Sequence, residues 1–156
     1  MKSVRHCLQT KGSQVYSIHP EASVYEALDL MADKDIGALL VMEGERLVGI
    51  FSERDYARKI ILHGKSSRET PVREIMTPRV VVVRPDQSLD DCMALMTGKH
   101  IRHLPVVEGD KVVGVISIGD VVKEIMPSKS SSSSSWRTIS PASADWSLTL
   151  AGFFIP

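Results

Sequence analysis

GIFSERD at residues 49–55 returns as GVISIGD at residues 114–120, a shift of 65 positions, and this recurrence decides the fold. Without a gap, the same shift pairs Pro20 with Pro85, Ser23 with Ser88, Met31 with Met96, Ile36 with Ile101, and Glu43-Gly44 with Glu108-Gly109. Such self-similarity marks a duplicated supersecondary unit. Two units joined by a short linker tend to pack about a local two-fold axis, so any cleft between them is built twice from equivalent residues. Function is to be sought in that cleft.

Outward from the motif, each copy has the same order. Residues 15–18 are a short β-prone run broken by Pro20, and Ser23 with Glu26 three residues on has the spacing of a capping box. Val24, Ala27, Leu28 and Met31 then fall on one helical stripe, answered by Leu89, Cys92, Met93 and Met96. Both stripes are expected in the core. The apolar runs 38–42 and 46–51 flank Glu43-Gly44-Glu45, a hairpin pattern with glycine at a positive-φ position, and Glu108-Gly109-Asp110 repeats it. Final helices are expected from Glu53 to about Leu62 and from Ile118 to about Met126.

The unit extends at its front. Val4-Arg5 in VRHCLQ echoes Val72-Arg73 in VREIMT, here shifted by 68, which puts about three extra residues near Gly12 to Gln14. The polar segment GKSSRETP at 64–71 reads as a linker, separating a first domain at 4–63 from a second at 72–127. From residue 128 the chain turns serine-rich, carries both tryptophans and has no helical or strand period, the pattern of a flexible tail. Its apolar end, 148–155, is too short to cross a membrane.

Composition excludes several classes. Lys plus Arg and Asp plus Glu both number 19, so no basic excess is available to hold a nucleic-acid backbone. Two cysteines, Cys7 and Cys92, do not make a disulfide framework and read as reduced buried thiols. The N-terminal stretch lacks the apolar core of a signal peptide and no apolar run approaches the roughly 20 residues of a membrane span, so a cytoplasmic protein without membrane contact is expected. No activated nucleophile with a fitting base and no Walker or Rossmann glycine loop is present, so no enzymatic activity is expected. His100 and His103 enter a strand rather than share a helix face, and no Cys or carboxylate cluster completes a metal set.

The Ser-x-x-Asp turn carries the chemistry. Ser52 and Ser117 end a strand and open a helix, where free N–H groups and the positive end of the dipole suit an anion. Asp55 and Asp120, three residues on, place a carboxylate that can accept two hydrogen bonds from a cis-diol such as ribose. Plain capping, in which serine and aspartate satisfy each other, explains the same residues without a ligand. Arg54, Arg58 and Lys59 read as the solvated face of a helix, with a phosphate role for Arg54 alone.

The ordered, duplicated set, with VREIMTP, IRHLPVV at 101–107 and SIGDVV at 117–122, resembles a tandem pair of CBS (cystathionine β-synthase) domains, a Bateman module, over residues 4 to about 126. The resemblance implies an α+β fold of two repeats, each a small sheet with two helices, related by pseudo-two-fold symmetry. It implies an adenine-nucleotide ligand, AMP first, with NAD or ATP as further candidates and no metal. One site would use Val15, Tyr16, Ile36, Gly37, Ile50, Ser52, Arg54 and Asp55. The other would use Val80, Val81, Ile101, Arg102, His103, Val115, Ser117, Gly119 and Asp120. In nucleotide-sensing relatives a basic pair placed like Arg102-His103 contacts phosphate, whereas the first copy has Gly37-Ala38 there; conversely the first copy has Arg54 where the second has the small Gly119. Unequal sites are therefore expected, one snug for a mononucleotide and one for a larger group. The resemblance further implies a regulatory energy or redox sensor that dimerises through its helices and acts on an effector protein. A ligand-independent dimerisation or protein-interaction module is the alternative.

Overall fold

Helix starts follow their caps. In the computed structural model, which describes residues 2–126, Ser23 Oγ accepts from the Glu26 N–H at 3.1 Å while Glu26 accepts from the Ser23 N–H at 2.8 Å. This reciprocal box opens α2, Val24–Lys34. Numbering in chain order, α1 is Val4–Lys11, β1 Ser17–Ile18, β2 Ala38–Glu43, β3 Arg46–Ser52 and α3 Glu53–Asp55, which continues as a π-helical stretch over Tyr56–Ile61. A 3₁₀ turn, Val72–Glu74, leads into the second copy, with α4 Leu89–Lys99, β4 His103–Glu108, β5 Lys111–Ser117 and α5 Ile118–Ile125. The stripe residues Val24, Ala27, Met31, Leu89, Cys92 and Met96 are buried, as the helical period predicts. Burial raises the thiol pKa of Cys92 to about 11, so this residue packs as a small hydrophobe.

Each copy contains the expected antiparallel hairpin. Gly44 and Gly109 take the turn at φ 64° and 65°, a left-handed conformation that a side chain disfavours. A β-bulge falls between Val41 and Met42 and again between Val106 and Val107, so the repeat extends to irregularities of register.

The first strand departs from expectation. Only Ser17 and Ile18 pair with β2, in parallel with Leu40 and Val41, rather than the whole run from Val15. In the second copy only an isolated bridge, Val83 with Val106, remains. The reason is one donor. The Leu40 N–H donates to the Tyr16 carbonyl at 3.3 Å, and the equivalent position is Pro105, which has no N–H.

The two copies exchange their leading segments. Val4 and Cys7 of α1 are buried in the core of the second copy with Val83, Leu89, Leu104 and Ile116. Reciprocally, Val72 and Ile75 are buried in the first copy's core with Val24, Leu39 and Phe51. Backbone bonds follow the same exchange: the Val4 N–H donates to the Gln87 carbonyl at 2.9 Å and the Val72 N–H to the Ala22 carbonyl at 2.8 Å. Reciprocal contact of this kind is what a two-fold relation between copies requires. Each buried Val contributes about 1.5–2 kcal/mol, so the segments act as core and bind the copies together.

Residues Met1–Ile125 form one compact unit. The serine-rich tail expected from residue 128, with its apolar end, lies outside the described residues. Among the described residues no helix is long and apolar enough to cross a membrane.

Candidate functional site

At the end of β3, Ser52 and Asp55 close on each other. The Ser52 N–H and Oγ donate to Asp55 Oδ2 at 3.0 and 3.1 Å, and the Asp55 N–H donates back to Ser52 Oγ at 3.2 Å. The other oxygen, Oδ1, accepts from Thr77 Oγ1 at 3.3 Å and lies 3.2 Å from Lys59 Nζ. In the second copy the Ser117 N–H donates to Asp120 Oδ2 at 2.8 Å and the Asp120 N–H to Ser117 Oγ at 3.2 Å. A second donor to Asp120 Oδ2 comes from the distant Lys11 Nζ at 2.8 Å. Both carboxylates thus cap their helices.

The helix N-termini offer less to an anion than a strand-to-helix turn suggests. The Glu53 N–H donates to the Gly37 carbonyl at 3.1 Å, and the Ile118 N–H to the Arg102 carbonyl at 2.8 Å. With the third N–H of each helix taken by serine, anion binding at these turns falls mainly to side chains.

Two clefts lie between the copies, each drawing residues from both. Cleft one, about 650 Å³, is lined by Gly37, Ile50, Ser52, Arg54 and Asp55 of the first copy and by Val80, Val81, Ile101, Arg102 and His103 of the second. Cleft two, about 440 Å³, is lined by Tyr16, Ile36, Gly37 and Ile50 of the first copy with His103, Val115, Ser117 and Asp120 of the second. The residues grouped by copy in the sequence are therefore regrouped across copies: the strand ends of one face the Ser-x-x-Asp turn of the other. Val15 and Gly119 line neither cleft. Gly37, Ile50 and His103 line both and form the shared wall.

Charge separates the clefts. Arg54, Arg58, Lys59, Arg79, Lys99 and Arg102 surround cleft one against only Glu53 and Asp55. Cleft two has Lys11 against Asp35 and Asp120. Arg58 and Lys59, expected on a solvated helix face, also line this cleft. Their spacing carried the signal, since they stand four residues beyond Arg54 and Asp55 on the same helical stretch. Arg54 also ties the copies together, its Nη1 donating to the His100 carbonyl at 3.2 Å at the end of α4. Lys11, Arg79 and Lys99 had no motif to flag them, whereas Thr77 closes the VREIMT string that the repeat had already marked. Lys11 and Thr77–Arg79 lie where the chain crosses between copies.

Titration follows these surroundings. Burial alone would raise the Asp120 carboxyl, but hydrogen bonds from Lys11 and Ser117 outweigh it and hold the group below its ordinary range. Burial lowers the His103 pKa more than nearby Asp120 raises it, so the imidazole is neutral at pH 7. The charge that does not depend on pH rests with the arginines and lysines of cleft one. Among the described residues no three His, Cys, Asp or Glu side chains gather as metal ligands.

This architecture has known counterparts. The CBS domain family model matches residues 9–62 and 72–127. The chain is 34% identical to the CBS domain-containing protein YhcV of Bacillus subtilis over 133 residues, covering 85% of this chain and 92% of that protein. It is 42% identical over 109 residues to the mitochondrial CBS domain-containing protein CBSX3 of Arabidopsis thaliana, covering 67% of this chain and about half, 53%, of that one. Among solved structures, a CBS-domain chain from Burkholderia ambifaria MC40-6 superposes with a TM-score of 0.79 at 50% identity, covering 80% of this chain and 94% of its own. The CBS domain pair of protein MJ0100, solved with 5′-methylthioadenosine and S-adenosyl-L-methionine, shares the fold with a TM-score of 0.71 at 24% identity, covering 80% and 96% of the two chains. CBS pairs are in general regulatory, non-catalytic modules. With two matched repeats, exchanged leading segments and paired clefts, this chain belongs to the CBS domain family as a tandem CBS pair.

Proposed function

We propose that this CBS pair is a non-catalytic regulatory module that binds adenine nucleotides in its two clefts, with unequal ligands. The observation that carries the reading is the charge difference between clefts that otherwise repeat the same parts. In each, a Ser-x-x-Asp turn from one copy faces an apolar strand end from the other, a carboxylate for a ribose diol beside a slot for a base. Cleft one adds six cationic side chains, among them Arg102 and Arg79, which can fork onto phosphate oxygens. It suits ATP or NAD, with the base against Val80, Val81 and Ile101. Cleft two, smaller and nearly balanced in charge, suits AMP, with the base against Tyr16, Ile36 and Val115. The adenosine-derived ligands of the MJ0100 pair are consistent with a base-and-ribose slot in this fold.

A ligand touching both copies favours the relative orientation in which both contact it, and so acts as an energy or redox signal. Exposed Ile61 and Leu62 after the first copy's turn, with Val122 and Ile125 on α5, supply apolar helix surface for a homodimer that an effector protein would read. The same surface favours the second reading, an interaction module indifferent to ligand. Calorimetric titration with AMP, ADP, ATP and NAD decides between them. Saturable binding weakened in Asp55→Ala or Asp120→Ala supports the sensor, and no heat with any nucleotide supports the interaction module.

A further inference from the structure

Among the described residues Lys11 is the one lysine or arginine lining cleft two, and it is already engaged there. Its Nζ donates to Asp120 Oδ2 at 2.8 Å and to the Val115 carbonyl at 2.6 Å. The first copy solves the same two positions differently. Asp55 takes its cation from Lys59 on its own helical stretch, and the Ile50 carbonyl, equivalent to that of Val115, accepts the Thr77 backbone N–H at 2.8 Å. A backbone bond cannot leave without disturbing the fold, whereas a lysine ammonium on a four-carbon stem can.

The backbone beneath Lys11 is held: α1 is anchored by Val4 and Cys7 in the second copy's core, and Lys11 is its last residue. Its side chain is 32% exposed, against 20% for Asp120, so solvent reaches the ammonium more readily than the carboxylate it covers. The ammonium and the Ser117 N–H share Oδ2, so a diol that bonds both carboxylate oxygens, one hydroxyl to each, meets the ammonium at Oδ2.

We infer that Lys11 gates cleft two: a ligand diol takes both oxygens of Asp120 only by displacing the Lys11 ammonium from Oδ2, and the ammonium then pairs with an anionic group of the same ligand. This rests on the nucleotide reading of the cleft and adds a selection rule to it. A nucleoside displaces the lysine and leaves it unpaired; a nucleoside monophosphate displaces it and supplies a new partner. The gate makes cleft two prefer ligands that combine a diol with an anion, even though the cleft as a whole carries little positive charge.

The test is calorimetric titration of adenosine and of AMP into the wild-type chain, Lys11→Met and Lys11→Arg, with Asp120→Ala marking the site. Lys11→Met is expected to bind adenosine about tenfold more tightly than wild type and to lose its preference for AMP over adenosine. Lys11→Arg is expected to keep that preference. Asp120-dependent binding with the same adenosine and AMP affinities in wild type and Lys11→Met overturns the gate while leaving the nucleotide reading intact. Absence of Asp120-dependent heat for both ligands in every one of these proteins overturns the nucleotide reading of cleft two, and the gate with it. Cooperative thermal unfolding of each variant establishes that it is folded.

Discussion

Met76 packs on Gly49 so closely that a Cβ there would stand 2.5 Å from its Sδ and 3.1 Å from the Thr77 carbonyl oxygen. The equivalent Gly114 faces Leu8, whose Cδ2 would lie 2.7 Å from an added Cβ. The glycine that opens each repeated motif is thus required where a leading segment lies against β3 or β5.

From this contact, Gly49→Ala is expected to destabilise the protein by about 1–3 kcal/mol, since the gain from a stiffer unfolded chain is outweighed by overpacking. Gly114→Ala is expected to cost less, because its obstacle is only the end of a leucine side chain. Urea unfolding of the two variants measures the difference, and an equal cost would show that the Thr77 carbonyl offers no resistance.

Acid stability should depend on Asp120. Its folded pKa lies below the ordinary value of 3.8, so its contribution is present above that value and is lost as pH falls through the lower, folded one. Asp120→Asn is therefore expected to be less stable than wild type at pH 7 and to show a flatter decline below about pH 4. Urea midpoints measured from pH 7 down to pH 2 give both slopes; parallel declines would contradict the assignment.

His103 gives a second pH effect in a higher window. Its folded pKa is lowered from 6.5, so below that value the unfolded chain binds a proton that the folded chain resists, and stability falls as the solution is acidified. Wild type should weaken as pH falls through and below 6.5 by an amount that His103→Gln does not show. Titrating the His103 Cε1 proton by NMR locates the folded pKa directly, and a value at or above 6.5 would contradict this.

The charge of cleft one predicts how its ligand responds to salt. ATP affinity should fall steeply between low and physiological ionic strength, and AMP affinity at cleft two much less. Arg102→Ala is expected to weaken ATP binding about tenfold, more than His103→Gln, because the guanidinium is charged at every accessible pH and forks onto phosphate oxygens. Titrations at two salt concentrations test this; equal effects of the two substitutions would place the phosphates elsewhere.

Much of this fold was legible residue by residue. The 65-position shift is visible in identities, the caps at Ser23 and Ser88 in spacing, and the turns in Gly44 and Gly109, since each depends on neighbours within a few positions. The strand that failed to repeat also had a local mark, Pro105 in place of Leu40, whose meaning rests on a single missing N–H. Even the 68-position echo of Val4 and Val72 was present, although its register alone did not say which copy each segment joins.

The sequence by itself determined the duplicated unit, its helices and hairpins, and the paired Ser-x-x-Asp turns, because caps, turns and amphipathic stripes are short-range consequences of residue type. Only the tertiary structure decided that the leading segments change partners, that each cleft combines one copy's strand ends with the other's helix turn, and that Lys11 reaches Asp120 across 109 positions. Those pairings arise from burying Val4, Cys7, Val72 and Ile75 in whichever core has room for them, and such long-range packing leaves no periodic trace along the chain.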